Sequence, residues 1–261
     1  MRIPFHKYQG TGNDFVMLDN RSEKWETRLT KAQIARLCDR RFGIGADGLI
    51  MLTPDLESDF RMIYYNADGG ESTMCGNGAR CLVAFAQKLG VIESSANFLA
   101  IDGPHEASIE ADVVSLLMGK PEGKRDLLEA GFQWIDTGSP HLIIPAEGRW
   151  EQLDVAAEGA QWRHHPEFKA IGGTNVNFFR RVAPDTLEVR TFERGVEAET
   201  LSCGTGVTAS AYVYAHQHQL LQVHVHTPGG PLEVKIEQEG KLEKVWLKGP
   251  ATFVFSGEML I

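Results

Sequence analysis

The sequence predicts an α/β protein of two similar halves, each a set of strands arranged around one buried helix. Three observations carry that prediction. Residues 71–80, ESTMCGNGAR, return as residues 199–208, ETLSCGTGVT, so Glu, three residues and Cys-Gly-x-Gly occur twice in one frame. The spacing from Cys75 to Cys203 also aligns Tyr64 with Phe192, Asn66 with Arg194 and Glu71 with Glu199, while 11–15 echoes 137–141 at almost the same shift. Finally, each Cys-Gly-x-Gly leads into a run of small and apolar residues, and a helix apolar nearly all round belongs inside a sheet.

In chain order, residues 3–9 and 15–18 read as strands flanking the polar turn 10–14. Thr30 caps a helix to about residue 40, with Ile34, Leu37 and Cys38 inward. A glycine loop, 42–48, precedes the strand 49–52; with no Lys-Ser/Thr after it, it is not a nucleotide-binding loop. Residues 60–66 alternate as a strand and feed the first cysteine loop and a helix over 78–89. Strands at 98–101, 106–110 and 113–118 complete the first half. The polar stretch 120–126 reads as the crossing between halves. Then the order repeats: strand 133–136, turn 137–141, strand 142–144, a helix ending near residue 165, strands 176–181 and 187–193, the second cysteine loop, and a helix over 207–218. Four strands follow, at 223–227, 232–237, 244–247 and 252–256, the last expected to return to the first half. The two domains are therefore expected at 1–118 plus 252–261, and at 119–251.

Length and composition fit this picture. A chain of 261 residues exceeds one ordinary core, and 43% hydrophobic with 23% charged residues suffices for two. The net charge of −9, from 26 basic and 35 acidic residues with no basic run, argues against nucleic acid and anionic membranes as partners. No apolar stretch is long enough to span a bilayer and residues 1–4 do not open a signal peptide, so the expected location is the cytoplasm. Cys38, Cys75, Cys81 and Cys203 form no disulfide framework. Cys38 and Cys81 read as packing residues, whereas Cys75 and Cys203 have the special setting.

That setting points to acid–base or anion-binding work. Glycines let several backbone N–H groups approach a ligand, and a helix N-terminus favours carboxylates and thiolates. A cysteine there ionises more easily than one in water. One such cysteine is equally well a buried packing residue; two in register are not explained by packing. Asn13, Asn66 and Asn175 each sit at a strand–turn junction, where asparagine ordinarily bonds its own backbone. Glu193 and Arg194 end an alternating strand shortly before Cys203, which argues that they line the same site rather than form a surface ion pair. His141 begins a strand, where a satisfied structural histidine is the ordinary reading. His224 and His226 share a strand face without a third ligand, so no metal site is expected.

The motifs Met74-Cys75-Gly76-Asn77-Gly78-Ala79-Arg80, Glu193-Arg194-Gly195 and Ser202-Cys203-Gly204-Thr205-Gly206 resemble those of the diaminopimelate epimerases. The resemblance extends in order through residues 10–15, 65–69 and 174–176, nearly the whole chain. It implies two pseudo-symmetric domains, each a curved, mostly antiparallel, barrel-like sheet wrapped around a central helix, with the active site in the cleft between them. It further implies an isomerase that needs no cofactor and interconverts LL- and meso-diaminopimelate for lysine and peptidoglycan synthesis. By the same resemblance Cys75 and Cys203 are the acid/base pair. Gly76, Asn77, Gly204 and Thr205 hold the reacting carboxylate, Asn13, Asn66, Asn175, Glu193 and Arg194 bind the rest of the substrate, and His141 is auxiliary. The partner is the small-molecule substrate, and a homodimer is allowed. Two positions depart from the family pattern: Ser139, usually Asn, and Gly48, often Gln. Proline and hydroxyproline racemases share the paired cysteines but typically carry His where this chain has Asn77. A cysteine hydrolase using His141, or a non-catalytic amino-acid-binding protein, are the readings from other classes; the hydrolase leaves the second cysteine unexplained.

Overall fold

The computed structural model describes residues 1–127, 131–240 and 242–261. The chain divides into two compact units, Met1–Leu116 with Gly249–Ile261, and Leu117–Lys248. In the first, β1 (Arg2–Gly10) pairs antiparallel with β2 (Asn13–Asp19) on one side and with the closing strand Thr252–Leu260 on the other. β2 runs parallel to β3 (Gly48–Thr53), which is antiparallel to β4 (Phe60–Asn66). β4 runs parallel to β5 (Ser95–Ala100), and β6 (Gly103–Glu110) and β7 (Val113–Met118) follow antiparallel.

Helices fill the crossovers that parallel pairing demands. Between β2 and β3 lie α1 (Trp25–Arg28) and α2 (Lys31–Cys38). The latter starts at Thr30, whose side chain and that of Gln33 cap each other's backbone N–H. Its inner residues Ile34, Leu37 and Cys38 join Val16, Leu18, Leu49 and Met51 in one core. Between β4 and β5 runs α3 (Gly76–Lys88), buried from Gly76 through Val83 and again at Phe85 and Ala86. It touches β1, β2, β3, β6 and the closing strand, so the sheet must curve around it.

The second unit repeats this pairing order with one short strand, Ala198–Thr200, added. β8 (Glu122–Asp126), β9 (Gln133–Asp136) and β10 (Pro140–Pro145) are antiparallel neighbours, and β10 runs parallel to β11 (Asn175–Ala183). β11 is antiparallel to β12 (Thr186–Glu193). β12 takes the short β13 (Ala198–Thr200) antiparallel and β14 (Gln222–Thr227) parallel. β15 (Gly230–Glu239) and β16 (Leu242–Pro250) complete the series antiparallel, and the closing strand of the first unit is β17. α4 (Val155–Arg163) packs on β11, β12 and β13, while α5 (Gly204–His218) is the buried counterpart of α3 and touches β9, β10, β11, β12, β14 and β15. No helix among the described residues is long and apolar enough to cross a membrane.

The structure departs from the sequence expectation in three places. Both central helices begin earlier than 78 and 207, at Gly76 and Gly204, with Cys75 and Cys203 as N-caps in extended conformation. Glycine weighs against a helix interior, but the first turn tolerates it. The stretch 120–126 lies in the second unit and is mostly the strand β8, whose side chains are all exposed, so its polar composition resembled a linker. Lastly, β10 begins at Pro140 rather than at residue 142, so the turn before it is shorter than its polar sequence predicts.

Phe85 packs edge-on to Tyr8 at 5.9 Å and lies 5.0 Å from the His6 ring, joining α3 to β1. Phe85→Ala should lower stability by about 3–5 kcal/mol, as emptied aromatic sites do, measured as the shift of the urea unfolding midpoint.

Candidate active site

In the first unit the Cys75 thiol donates to Asn13 Oδ1 at 3.6 Å, and Asn77 Nδ2 donates to the same oxygen at 3.4 Å. The Asn13 amide is held in that orientation because its Nδ2 donates to Asp47 Oδ2 at 2.7 Å. The turn carrying Asn13 is itself pinned by charge. Asp14 takes Lys7 and Arg40 at 2.7 Å each, and Arg40 also reaches Asp47 at 2.7 Å. Those hydrogen-bonded cations outweigh the desolvation of the Asp14 carboxyl and hold it well below the usual carboxylate range. Thr11 and Gly12 make the turn with φ of 51° and 83°. Behind Asn77 lies Arg80, with no exposed surface, donating from Nη2 to Asn77 Oδ1 at 3.0 Å and Thr11 Oγ1 at 3.2 Å.

In the second unit a chain of hydroxyls leads to Cys203. Thr205 Oγ1 lies 3.5 Å from Cys203 Sγ and 3.2 Å from Ser139 Oγ, which is 2.9 Å from His141 Nε2. The other ring nitrogen, Nδ1, is 3.0 Å from Asn177 Nδ2. Asn177 Oδ1 accepts from Thr191 Oγ1 at 2.9 Å and its Nδ2 also donates to Leu142 O, which sets the amide. His141 Nδ1 is therefore an acceptor, and Nε2 carries the proton toward Ser139. Complete burial, then the nearby Arg194, push the His141 pKa down to about 3, so the ring is neutral. Ser139 Oγ, accepting from His141 and from Asn175 Nδ2 at 3.3 Å, directs its own proton to Thr205, whose hydroxyl is left to donate to Cys203. The two cysteines thus meet opposite partners: an amide oxygen faces Cys75 and a donor hydroxyl faces Cys203.

Of the residues singled out in the sequence, Asn13, Cys75 and Asn77 come together in the first unit, and Cys203, Thr205, His141 and Asn175 in the second. Gly76 and Gly204 are the first helical residues behind the two cysteines. Asn175 Oδ1 takes the Arg194 backbone N–H at 2.8 Å, while the Arg194 guanidinium lies 3.3 Å and 3.5 Å from the Ile171 and Gly173 carbonyls. Asn66 ends β4 exposed, its backbone closing the turn to Gly69 and Gly70. Glu193 ends β12 half-buried. Gly48, opposite Asn66 in the β3–β4 ladder, has no room for a side chain: a Cβ would lie 2.5 Å from the Tyr64 ring and 2.6 Å from Tyr65 O. Asn177 escaped the sequence reading, and Arg80 is marked there only as part of a motif, without a role. Two asparagines alternating with apolar residues in the buried strand β11 were a signal for the first; a lone arginine in a small, apolar helix was a signal for the second. Cys38 and Cys81 are packing residues, their thiols pushed up to about 12, chiefly by burial. Among the described residues no His, Cys, Asp and Glu cluster could hold a metal ion.

A doubled α/β unit, each half a sheet curved around one buried helix, is a fold with solved members. A phenazine biosynthesis protein of the PhzF family from Bacillus anthracis shares the fold over 100% of both chains, with a TM-score of 0.78 at 15% identity. The profile described as diaminopimelate epimerase matches residues 5–123 and 133–254. The diaminopimelate epimerase of Flavobacterium psychrophilum is 48% identical over 97% of this chain and 98% of its own, and that of Chlorobaculum tepidum 43% identical over 97% and 99%. The chain belongs to the diaminopimelate epimerase family.

Two outcomes follow from the second-unit geometry. A Cβ on Gly206 would lie 2.2 Å from Asn177 Oδ1 and 3.3 Å from His141 Cε1. Asn177 is pinned on three sides, so Gly206→Ala should cost about 1–3 kcal/mol in thermal unfolding, with loss of turnover. Because the folded chain protonates His141 near 3 and the unfolded chain near 6.5, acid favours unfolding between those values. Stability should fall by about 1.4 kcal/mol per pH unit from this group as pH drops below 6.5, and urea titrations of His141→Gln should lack that share of the slope.

Proposed function

We propose that this chain interconverts LL- and meso-diaminopimelate with no added cofactor, moving the α-hydrogen between two sulfurs, Cys75 and Cys203. The observation that carries the reading is the pair of cysteines, each capping a buried helix in units that repeat one strand order, in a chain of this family. Inversion at an α-carbon needs a base on one face and an acid on the other. One thiolate removes the proton, the electron pair spreads into the carboxylate, and the opposite thiol returns a proton and becomes the thiolate. The partners fit a resting state with the thiolate at Cys203, which receives a hydroxyl proton, and the thiol at Cys75, which donates to Asn13.

The first turns of α3 and α5, with Gly76 and Asn77 and with Gly204 and Thr205, hold the reacting carboxylate and stabilise the charge that grows on it. Asn13, Asn66, Asn175, Glu193 and Arg194 hold the remainder of the substrate. A guanidinium suits the distal carboxylate, and a small amino acid lacking that group would be refused. His141, neutral and donating to Ser139, sets the direction of the hydroxyl chain. The Ser139 hydroxyl, where the family usually has Asn, keeps that chain continuous. The same reading makes the protein a cytoplasmic biosynthetic enzyme. A second copy docking on the exposed β17, which carries Phe253, Val254 and Phe255, would make it a homodimer.

The deciding measurement is NMR in deuterated water with reduced protein, LL-diaminopimelate and no cofactor, with proline in parallel. Deuterium at the α-carbon together with the meso isomer is expected; exchange with proline alone, or with neither, would sink the reading. Cys75→Ser and Cys203→Ser should each cut turnover by at least ~10²–10⁴ with unchanged circular dichroism.

A further inference from the structure

Among the described residues Arg80 is a charge without a carboxylate. Its side chain has no exposed surface, and there Nε and Nη1 find no hydrogen-bond partner, while Nη2 donates to the neutral Thr11 and Asn77. An arginine keeps its proton inside proteins, and an unpaired buried charge is strongly destabilising, so a compensating anion is expected close by. The ionisable groups that act on it are Cys81 and Cys75. Burial holds Cys81 neutral, and Tyr8 on β1 is likewise held neutral with its pKa raised to about 12, chiefly by burial. Asp14, on β2, is already matched by Lys7 and Arg40. Cys75 is what remains.

The geometry also supplies a need for such a cation. Asn13 Oδ1, locked toward Cys75 by Asp47, accepts from the thiol and would repel a thiolate. Unopposed, it would hold Cys75 protonated. On the two-thiol reading above, Cys75 must carry the negative charge at the end of every turnover in one direction and at the start in the other.

We propose that Arg80 is a positioning residue for the epimerisation. Its buried guanidinium offsets the Asn13 oxygen so that Cys75 can hold the thiolate charge at neutral pH whenever turnover places it there, and its hydrogen bond to Oδ1 turns the Asn77 amide nitrogen toward the site. Five residues after Cys203, where Arg80 stands after Cys75, the second helix carries Thr208, which bonds the Gly204 carbonyl. The two thiols are tuned by different means, one by a buried charge and the other by a hydroxyl chain.

The test is the pH profile of iodoacetamide alkylation, read at each cysteine by peptide mass spectrometry, in the unsubstituted chain, Arg80→Gln and Arg80→Lys. In Arg80→Gln the Cys75 midpoint should rise by about one unit or more, roughly tenfold slower modification at neutral pH, with Cys203 unmoved. Arg80→Lys, which keeps the charge, should retain the parental midpoint. An unmoved Cys75 in Arg80→Gln, an equal rise in both variants, or an equal shift at Cys203 would overturn the proposal. If neither variant folds, the unsubstituted chain decides: a Cys75 midpoint at or above about 8.5, the value for cysteine in water, refutes the proposal. The readout uses no substrate, so it stands apart from the α-hydrogen exchange that tests the reaction itself.

Discussion

Both halves of this molecule depend on how closely the start of a buried helix approaches the strand beneath it. The third residue of each helix is a glycine with no space above it. A Cβ at Gly78 would meet Ile50 Cδ1 at 2.7 Å, and one at Gly206 would meet Asn177 Oδ1 at 2.2 Å. That contact lets α3 and α5 begin against the sheet with a cysteine as N-cap and the first N–H groups unspent on helical bonds. Curvature of the sheet, burial of the helix and placement of the thiol all follow from it. A side chain in either position would separate helix from strand and move the sulfur with it.

What lies beneath those glycines differs between the halves, and the difference is chemical. Phe15 and Ile50 fill the space under Gly78; His141 and Asn177 fill it under Gly206. One half spends the position on apolar packing, and the other spends it on a polar chain that ends at its cysteine. The strand order that the two halves share therefore supports two different environments.

The repeat, the order of strands and the two cysteines were legible in the sequence because they rest on local chemistry: alternation, glycine frames and apolar helices. β8 was not, because an edge strand with every side chain exposed has the composition of a linker. The helix starts were misplaced because glycine at the first helical position reads as loop. Asn13, Asn77, Asn175 and Thr205 were marked through resemblance, but their bonds were not legible, since the partner of Asn13 is Asp47 and the partner of Asn77 is Arg80. Hydrogen-bond direction is a property of packed neighbours. No spacing along the chain encodes that His141 accepts from Asn177 and so donates to Ser139.

β17, drawn from the far end of the chain, pairs with β1 along nearly its whole length. The unit holding Cys75 is therefore assembled from two separated segments, whereas the unit holding Cys203 is one continuous run, Leu117–Lys248. The second unit closes within one run of chain, whereas β1 keeps an unpaired edge until β17 is added, so the thiol that is translated first belongs to the half that needs the more distant segment.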